Sequence, residues 1–203
     1  MKKLLVVGDS YMAPDQRSNG SLSNIHWAKH LESHFHVVNL AQVGASNALI
    51  AKQLENGIKN HKPDFIVLGF TSPFRLEFSD EITSCWVNHL TLEQKTLVDL
   101  YNKNVDNNIE FFKNWIIAHY CVQQARAFAP TVYTLNYLDF GNNDNDNLFM
   151  NCKVLRQEQL PLSLVGHKEW GSSDHVSPSF HVMDPTVHVK FTQQILNKFL
   201  TIS

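Results

Sequence analysis

With 203 residues, 43% of them hydrophobic, the chain holds enough apolar material for one good core and suits a single domain over 1–203 better than two. Lysine and arginine total 17 against 19 acidic residues, a net charge of −2, and no basic stripe interleaves with aromatics, which argues against nucleic acid as a partner. The three cysteines, Cys85, Cys121 and Cys152, are widely spaced and lack metal-ligand spacing, the pattern of reduced, mostly buried thiols rather than a disulfide framework.

The opening "MKKLLVVGDS" places only four apolar residues between Lys3 and Gly8, too few for a signal core or a spanning helix, so neither export by that route nor a membrane is expected. "KLLVVGDS", "FHVVNLAQVGASN" and "DFIVLGFTSP" are apolar, β-branched runs that read as buried strands. Between them, "NIHWAKHLESH" spaces Ile25, Trp27, Ala28 and Leu31 as a helix does, and "NALIAKQLENGIKNHKP" does so with Leu49, Ile50, Leu54 and Ile58. Strand, helix, strand, helix, strand implies a parallel α/β sheet with right-handed crossovers.

The segment 79–106 is longer than a minimal crossover requires and is expected to form a cap insertion, with Trp86 and Leu90 packing it or meeting a ligand. "NNIEFFKNWIIAHYCVQQARAFA" reads as a long amphipathic helix, and "TVYTLNYL" as a fourth strand. "GNNDNDN" at 141–147 reads as an exposed loop; its aspartates lack the glycine and downstream glutamate of a calcium loop. "DPTVHVKFTQQILNKFL" is the closing helix, with Asp184 as N-cap and Pro185 in its first turn.

In an open parallel sheet the functional crevice lies beyond the carboxyl ends of the strands. The first three strands end there in Gly8-Asp9-Ser10, in Gly44-Ala45-Ser46-Asn47 and in Gly69-Phe70-Thr71-Ser72. Glycine allows backbone to approach a ligand, and the polar residues after it supply hydroxyl, amide or backbone donors. Aspartate and serine are also favoured turn and cap residues, so "GDS" alone does not separate a turn from a nucleophile.

The neighbouring blocks do separate them. A strand ending in GDS near the amino terminus, a glycine block, a third block at Thr71 and a histidine-bearing tail before the last helix together resemble the SGNH, or GDSL-type, hydrolases over nearly the whole chain. More narrowly, "NLAQVGASNALI" and "GFTSPFRLEF" are similar to blocks of bacteriophage SGNH-like proteins. The resemblance implies a three-layer α/β/α sandwich with a mostly parallel, flavodoxin-like sheet, and a cytoplasmic or virion-associated protein that needs no cofactor and no metal. It leaves the oligomeric state open.

It also implies that Ser10 is the nucleophile, and that Gly44 and the Thr71 side chain line an oxyanion hole with the Ser10 amide. Thr71 stands where the family has asparagine, with a shorter reach, and Asn47 is a candidate to compensate. A serine hydroxyl needs a base, and the tail "HKEWGSSDHVSPSFHVMDPTVHVKF" offers His167, His175, His181 and His188. His181 fits the family position with one extra residue, His175 is its rival, and His188 is given a capping or packing role. The usual D-x-x-H spacing is missing, and Asp174 is the candidate acid.

Arg75 and Glu77 read either as receptors for an acidic substrate group or, in preference, as a surface ion pair within their loop. His26, His30 and His34 repeat at helical spacing, without a matching carboxylate or cysteine, and read as a solvated face. The function expected is hydrolysis of a small-molecule or carbohydrate ester. The alternatives are a non-catalytic binding or virion-associated protein on the same fold, and a metallohydrolase built on His167, Asp174, His175 and His181. Neither G-x-G-x-x-G nor G-x-x-x-x-G-K-[ST] occurs, which removes the sequence signs of nucleotide binding.

Overall fold

The four apolar runs pair as one parallel sheet in the order β2-β1-β3-β4, with β1 at Lys3–Val7, β2 at His36–Asn39, β3 at Phe65–Phe70 and β4 at Thr131–Leu135. The computed structural model describes residues 1–13, 26–79, 83–84, 87–135 and 185–202. Five α-helices are described: α1 (Trp27–Leu31), α2 (Asn47–His61), α3 (Leu92–Asn104), α4 (Asn107–Phe128) and α5 (Pro185–Ile202).

Alternation along the strands sends side chains to two cores. Leu4, Val6, Phe65, Val67 and Val132 meet Trp27 and Leu31 of α1 and Phe191, Ile195 and Phe199 of α5. Leu5, Val7, Ile66, Leu68 and Tyr133 meet Leu49, Ile50 and Leu54 of α2 and Ala118, Cys121 and Ala125 of α4. Both faces of the sheet are covered, which gives the expected α/β/α sandwich. The strand read as buried at 36–39 is an exception in part: β2 lies at one end of the described sheet, with His36 exposed and the rest half-buried.

Helix starts follow the capping residues. Ser46 accepts from the Leu49 amide, Thr91 and Gln94 form a capping box at α3, and Asp106 accepts from the amides of Asn108 and Ile109. Helix α1 is only five residues long, shorter than the periodicity predicts, and the histidine stripe is not a solvated face. His26 is buried as the N-cap and accepts from the Ala28 amide, while His30 is half-buried and His34 exposed. His188, inside α5, caps α1 from the side: its Nδ1 accepts from the Trp27 amide at 3.2 Å.

Helix α4 differs from its expected amphipathic form. Its inner face buries Asn114, Ala118, Cys121 and Ala125, yet Ile109, Phe112, Ile116 and Tyr120 lie exposed on the other side. Within 79–106, a short 3-10 turn at Val87–His89 leads to α3, which buries none of its residues, whereas Leu90 between them is buried. Trp86, the loop at 141–147 and Asp184 lie outside the described residues. Among the described residues, no helix is long and apolar enough to cross a membrane.

Candidate active site

Because β1 lies between β2 and β3, the chain steps to one side after the first strand and crosses to the other for the third. That reversal makes the carboxyl end of β1, where Gly8-Asp9-Ser10 leaves the sheet, the switch point beyond which open parallel sheets form their functional crevice. Beyond Val7 the chain enters a helical turn in which the amides of Met12 and Ala13 both donate to the Asp9 carbonyl. Ser10 is the first residue of that turn and is half-buried. Among the described residues its hydroxyl has no hydrogen-bond partner.

The turn is held tightly. Met12 is fully buried and fills the gap between two glycines: a Cβ at Gly69 would stand 2.2 Å from Met12 Cγ, and one at Gly8 would stand 2.3 Å from it. Side chains there would force the turn off the sheet. The Gln53 carboxamide accepts from the Gly8 amide at 2.9 Å, Trp27 Nε1 donates to the Tyr11 carbonyl, and Asn39 Nδ2 donates to the Met12 carbonyl. Each layer of the sandwich thus contributes a fastening to the residues around Ser10.

On the β2 side, the loop turns at Gly44, whose φ of 79° lies in the left-handed region that disfavours a side chain. Its carbonyl accepts from Thr83 Oγ1 at 2.7 Å, so the start of the 79–106 segment fixes the orientation of this peptide. No partner of the Gly44 amide occurs among the described residues.

On the β3 side, Thr71 and Asn47 are both fully buried and face each other rather than the crevice. Asn47 Oδ1 accepts from the Thr71 amide at 2.9 Å, and Asn47 Nδ2 donates to the Thr71 carbonyl and to Asn114 Oδ1. Both amide hydrogens of Asn47 are therefore engaged, and its carboxamide has no donor left for an oxyanion. Asn114 Nδ2 in turn donates to the Pro73 carbonyl at 3.1 Å. The Thr71 hydroxyl donates to Asp9 Oδ2 at 2.6 Å. In this arrangement Thr71 and Asn47, the expected oxyanion donors, bond to Asp9, to Asn114 and to each other.

Asp9 is the centre of the network. It is fully buried, and its carboxylate accepts from the Tyr11 amide, from Thr71 and from Arg75, whose Nη2 is 3.3 Å from Oδ2. Burial pushes its pKa above the ordinary carboxylate value, and the Arg75 charge and the three hydrogen bonds pull back without cancelling that effect. Arg75 is not the surface partner of Glu77. Its side chain is 12% exposed and its Nη1 donates to the Ala45 carbonyl at 2.6 Å, while Glu77 is exposed.

The structure thus brings together Ser10, Gly44, Asn47 and Thr71 at adjacent strand ends. His167, Asp174, His175 and His181 lie outside the described residues. Asp9 and Asn114 are site residues that sequence reasoning missed, and Arg75, singled out there as an acidic-group receptor or a surface ion pair, stands instead between Asp9 and Ala45. One signal was present for Asn114: a polar residue at a helical position otherwise shared by Ala118, Cys121 and Ala125. Among the described residues no cluster of three or more His, Cys, Asp or Glu could hold a metal.

No protein-family model matches the chain, and no curated protein sequence matches it. Solved structures do. TesA superposes with a TM-score of 0.58 at 15% identity, covering 100% of both chains. A catalytic mutant of the acetylxylan esterase Axe2 from Geobacillus stearothermophilus gives 0.59 at 12% identity, covering 98% of this chain and 94% of that one. The psychrotrophic esterase EstA from Pseudoalteromonas sp. gives 0.57 at 10% identity, over 99% and 98%. The narrower resemblance to bacteriophage proteins finds no support among these structures. A lipolytic protein of the G-D-S-L family from Desulfitobacterium hafniense gives 0.58 at 10% identity, over 98% and 99%, and with these likenesses this chain has the fold of the SGNH, or GDSL-type, hydrolases.

Proposed function

We propose that the protein is a serine hydrolase of carboxylic esters that works through an acyl-enzyme on Ser10. The observation that carries this reading is a half-buried serine hydroxyl at the carboxyl end of the central strand, beside a left-handed glycine turn, in a fold shared with esterases. Ser10 Oγ attacks the ester carbonyl, and its proton passes to a tail imidazole, for which His181 is the candidate with Asp174 as its orienting acid. The developing oxyanion is received by the backbone amides of Ser10 and Gly44, both at the rim of the crevice. The alcohol leaves, and water activated by the same imidazole releases the acid. The substrate is a small-molecule or carbohydrate ester.

The closest alternative is a binding protein on the same fold. It is favoured by one observation, the commitment of the Thr71 hydroxyl to Asp9, which takes that side-chain donor out of an oxyanion hole. A fluorophosphonate probe followed by intact mass separates the two. The hydrolase gains one phosphonyl group, and Ser10→Ala does not. A folded wild-type protein that stays unlabelled, or labelling that survives in Ser10→Ala, overturns the hydrolase reading.

A further inference from the structure

The exits of three strands meet at one guanidinium. Arg75 lies beyond β3, its Nη2 is 3.3 Å from the carboxylate of Asp9 beyond β1, and its Nη1 donates at 2.6 Å to the carbonyl of Ala45 beyond β2. Asp9 immediately precedes Ser10, and Ala45 immediately follows Gly44. We infer that Arg75 is a positioning residue for the reaction, holding the Ser10 turn and the Gly44 turn in register so that hydroxyl and oxyanion donors face one carbonyl. This inference rests on the hydrolase reading of Ser10.

Three features argue that the contact serves geometry rather than stability. Asp9 is fully buried, and burial outweighs Arg75 and the hydrogen bonds in its effect on the carboxyl, so the fold pays for keeping this charge inside. A planar fork reaches a carboxylate and a carbonyl at once, which a lysine ammonium on a flexible stem does not reproduce with the same directions. Thr71 adds its hydroxyl to the same Asp9 oxygen, and Asn47 fixes the Thr71 backbone, so the β3 exit from which Arg75 projects is itself immobilised. Misplacement of a reacting group by about 1 Å lowers rates by about 10²-fold, so a small slip between these exits is costly.

The test compares Arg75→Met and Arg75→Lys with wild type in the second-order rate of fluorophosphonate labelling at Ser10, measured across pH, with circular dichroism and thermal unfolding as controls. Arg75→Met is expected to label about 10²-fold more slowly. Its acid limb should also move to higher pH. Arg75 is the charged group acting on Asp9 among the described residues, its other partners being the Thr71 hydroxyl and the Tyr11 amide; without it Asp9 keeps its proton further up the pH scale. Arg75→Lys restores the charge and should return the acid limb toward its wild-type position, with a rate still below wild type. Folded Arg75→Met that labels within about twofold of wild type, with an unmoved limb, overturns the inference.

A second measurement separates this failure from that of the hydrolase reading and covers an unfolded Arg75→Met. Amide hydrogen exchange in folded Arg75→Lys should be faster by about tenfold or more at Tyr11 and Ala45, and unchanged at Ile66 in β3. That result supports the clamp even if wild type never labels. Unchanged exchange at Tyr11 and Ala45 removes it, whatever the labelling shows.

Discussion

The rim of the crevice and the outer face of α3 and α4 invert the usual distribution of residues. At the rim, Asp9, Asn47, Thr71 and Asn114 are polar and buried, and each is held by hydrogen bonds to a different segment. On the outer face, Leu97, Leu100, Phe112, Ile116 and Tyr120 are apolar and exposed, and α3 buries nothing. Burying polar groups is costly unless they are paired, so the rim network marks a place where backbone must stand in one arrangement. An exposed apolar stripe buries no polar group and carries no such requirement. The comparison therefore locates specificity of structure at the strand exits, where the proposed chemistry sits.

The largest effect should come from Asn47→Ala, which removes three hydrogen bonds and leaves the Thr71 backbone and Asn114 without their partner. A loss of about 3 kcal/mol in urea or thermal unfolding is expected, together with slower labelling at Ser10. Next, Gly69→Ala drives a methyl into Met12 and should cost about 1–3 kcal/mol. Because Met12 belongs to the Ser10 turn, its loss of labelling rate should exceed that of a core substitution of equal cost in α5, such as Ile195→Val. Ile116→Ser and Ile109→Ser, on the opposite kind of surface, should change stability by no more than about 0.5 kcal/mol and leave labelling unaltered. A larger loss at either position would show that the outer face is structurally engaged and that the contrast is misplaced.

The smallest expected effect is a dependence on pH. Asp9 titrates higher in the folded protein than its ordinary value of 3.8, so the fold binds this proton more tightly than the unfolded chain does. Its contribution is fully present below 3.8 and is lost as pH rises through the folded value. Measured against Asp9→Asn, which lacks the titration, wild-type stability should decline over that window and then level off. A difference that grows with pH would reverse the sign and deny that burial dominates at Asp9.

How far the sequence revealed this is uneven, for a physical reason. Strands and helices were legible because β-branched runs, helical spacing and the capping residues Ser46, Thr91 and Asp106 are local signals. The meeting of Ser10, Gly44 and Thr71 followed from the rule that parallel strands present their carboxyl ends together. Partners across loops were not legible. Arg75 was assigned to Glu77, its neighbour in sequence, yet it reaches Asp9 sixty-six positions away because β1 and β3 are adjacent in the sheet. The resemblance puts the Thr71 side chain at an oxyanion hole, and nothing local tells that a buried carboxylate lies within 2.6 Å of its hydroxyl. His26 was placed on a wet face by periodicity, which could not register that α5 would deliver His188 against the first turn of the same helix.

The most direct measurement is a crystal structure of the protein after reaction with a fluorophosphonate. The account predicts phosphorus bonded to Ser10 Oγ, its phosphonyl oxygen about 2.7–3.1 Å from the amide nitrogens of Ser10 and Gly44, and a tail imidazole within reach of the same Oγ. An adduct on another residue, or a phosphonyl oxygen turned away from both amides, would contradict it.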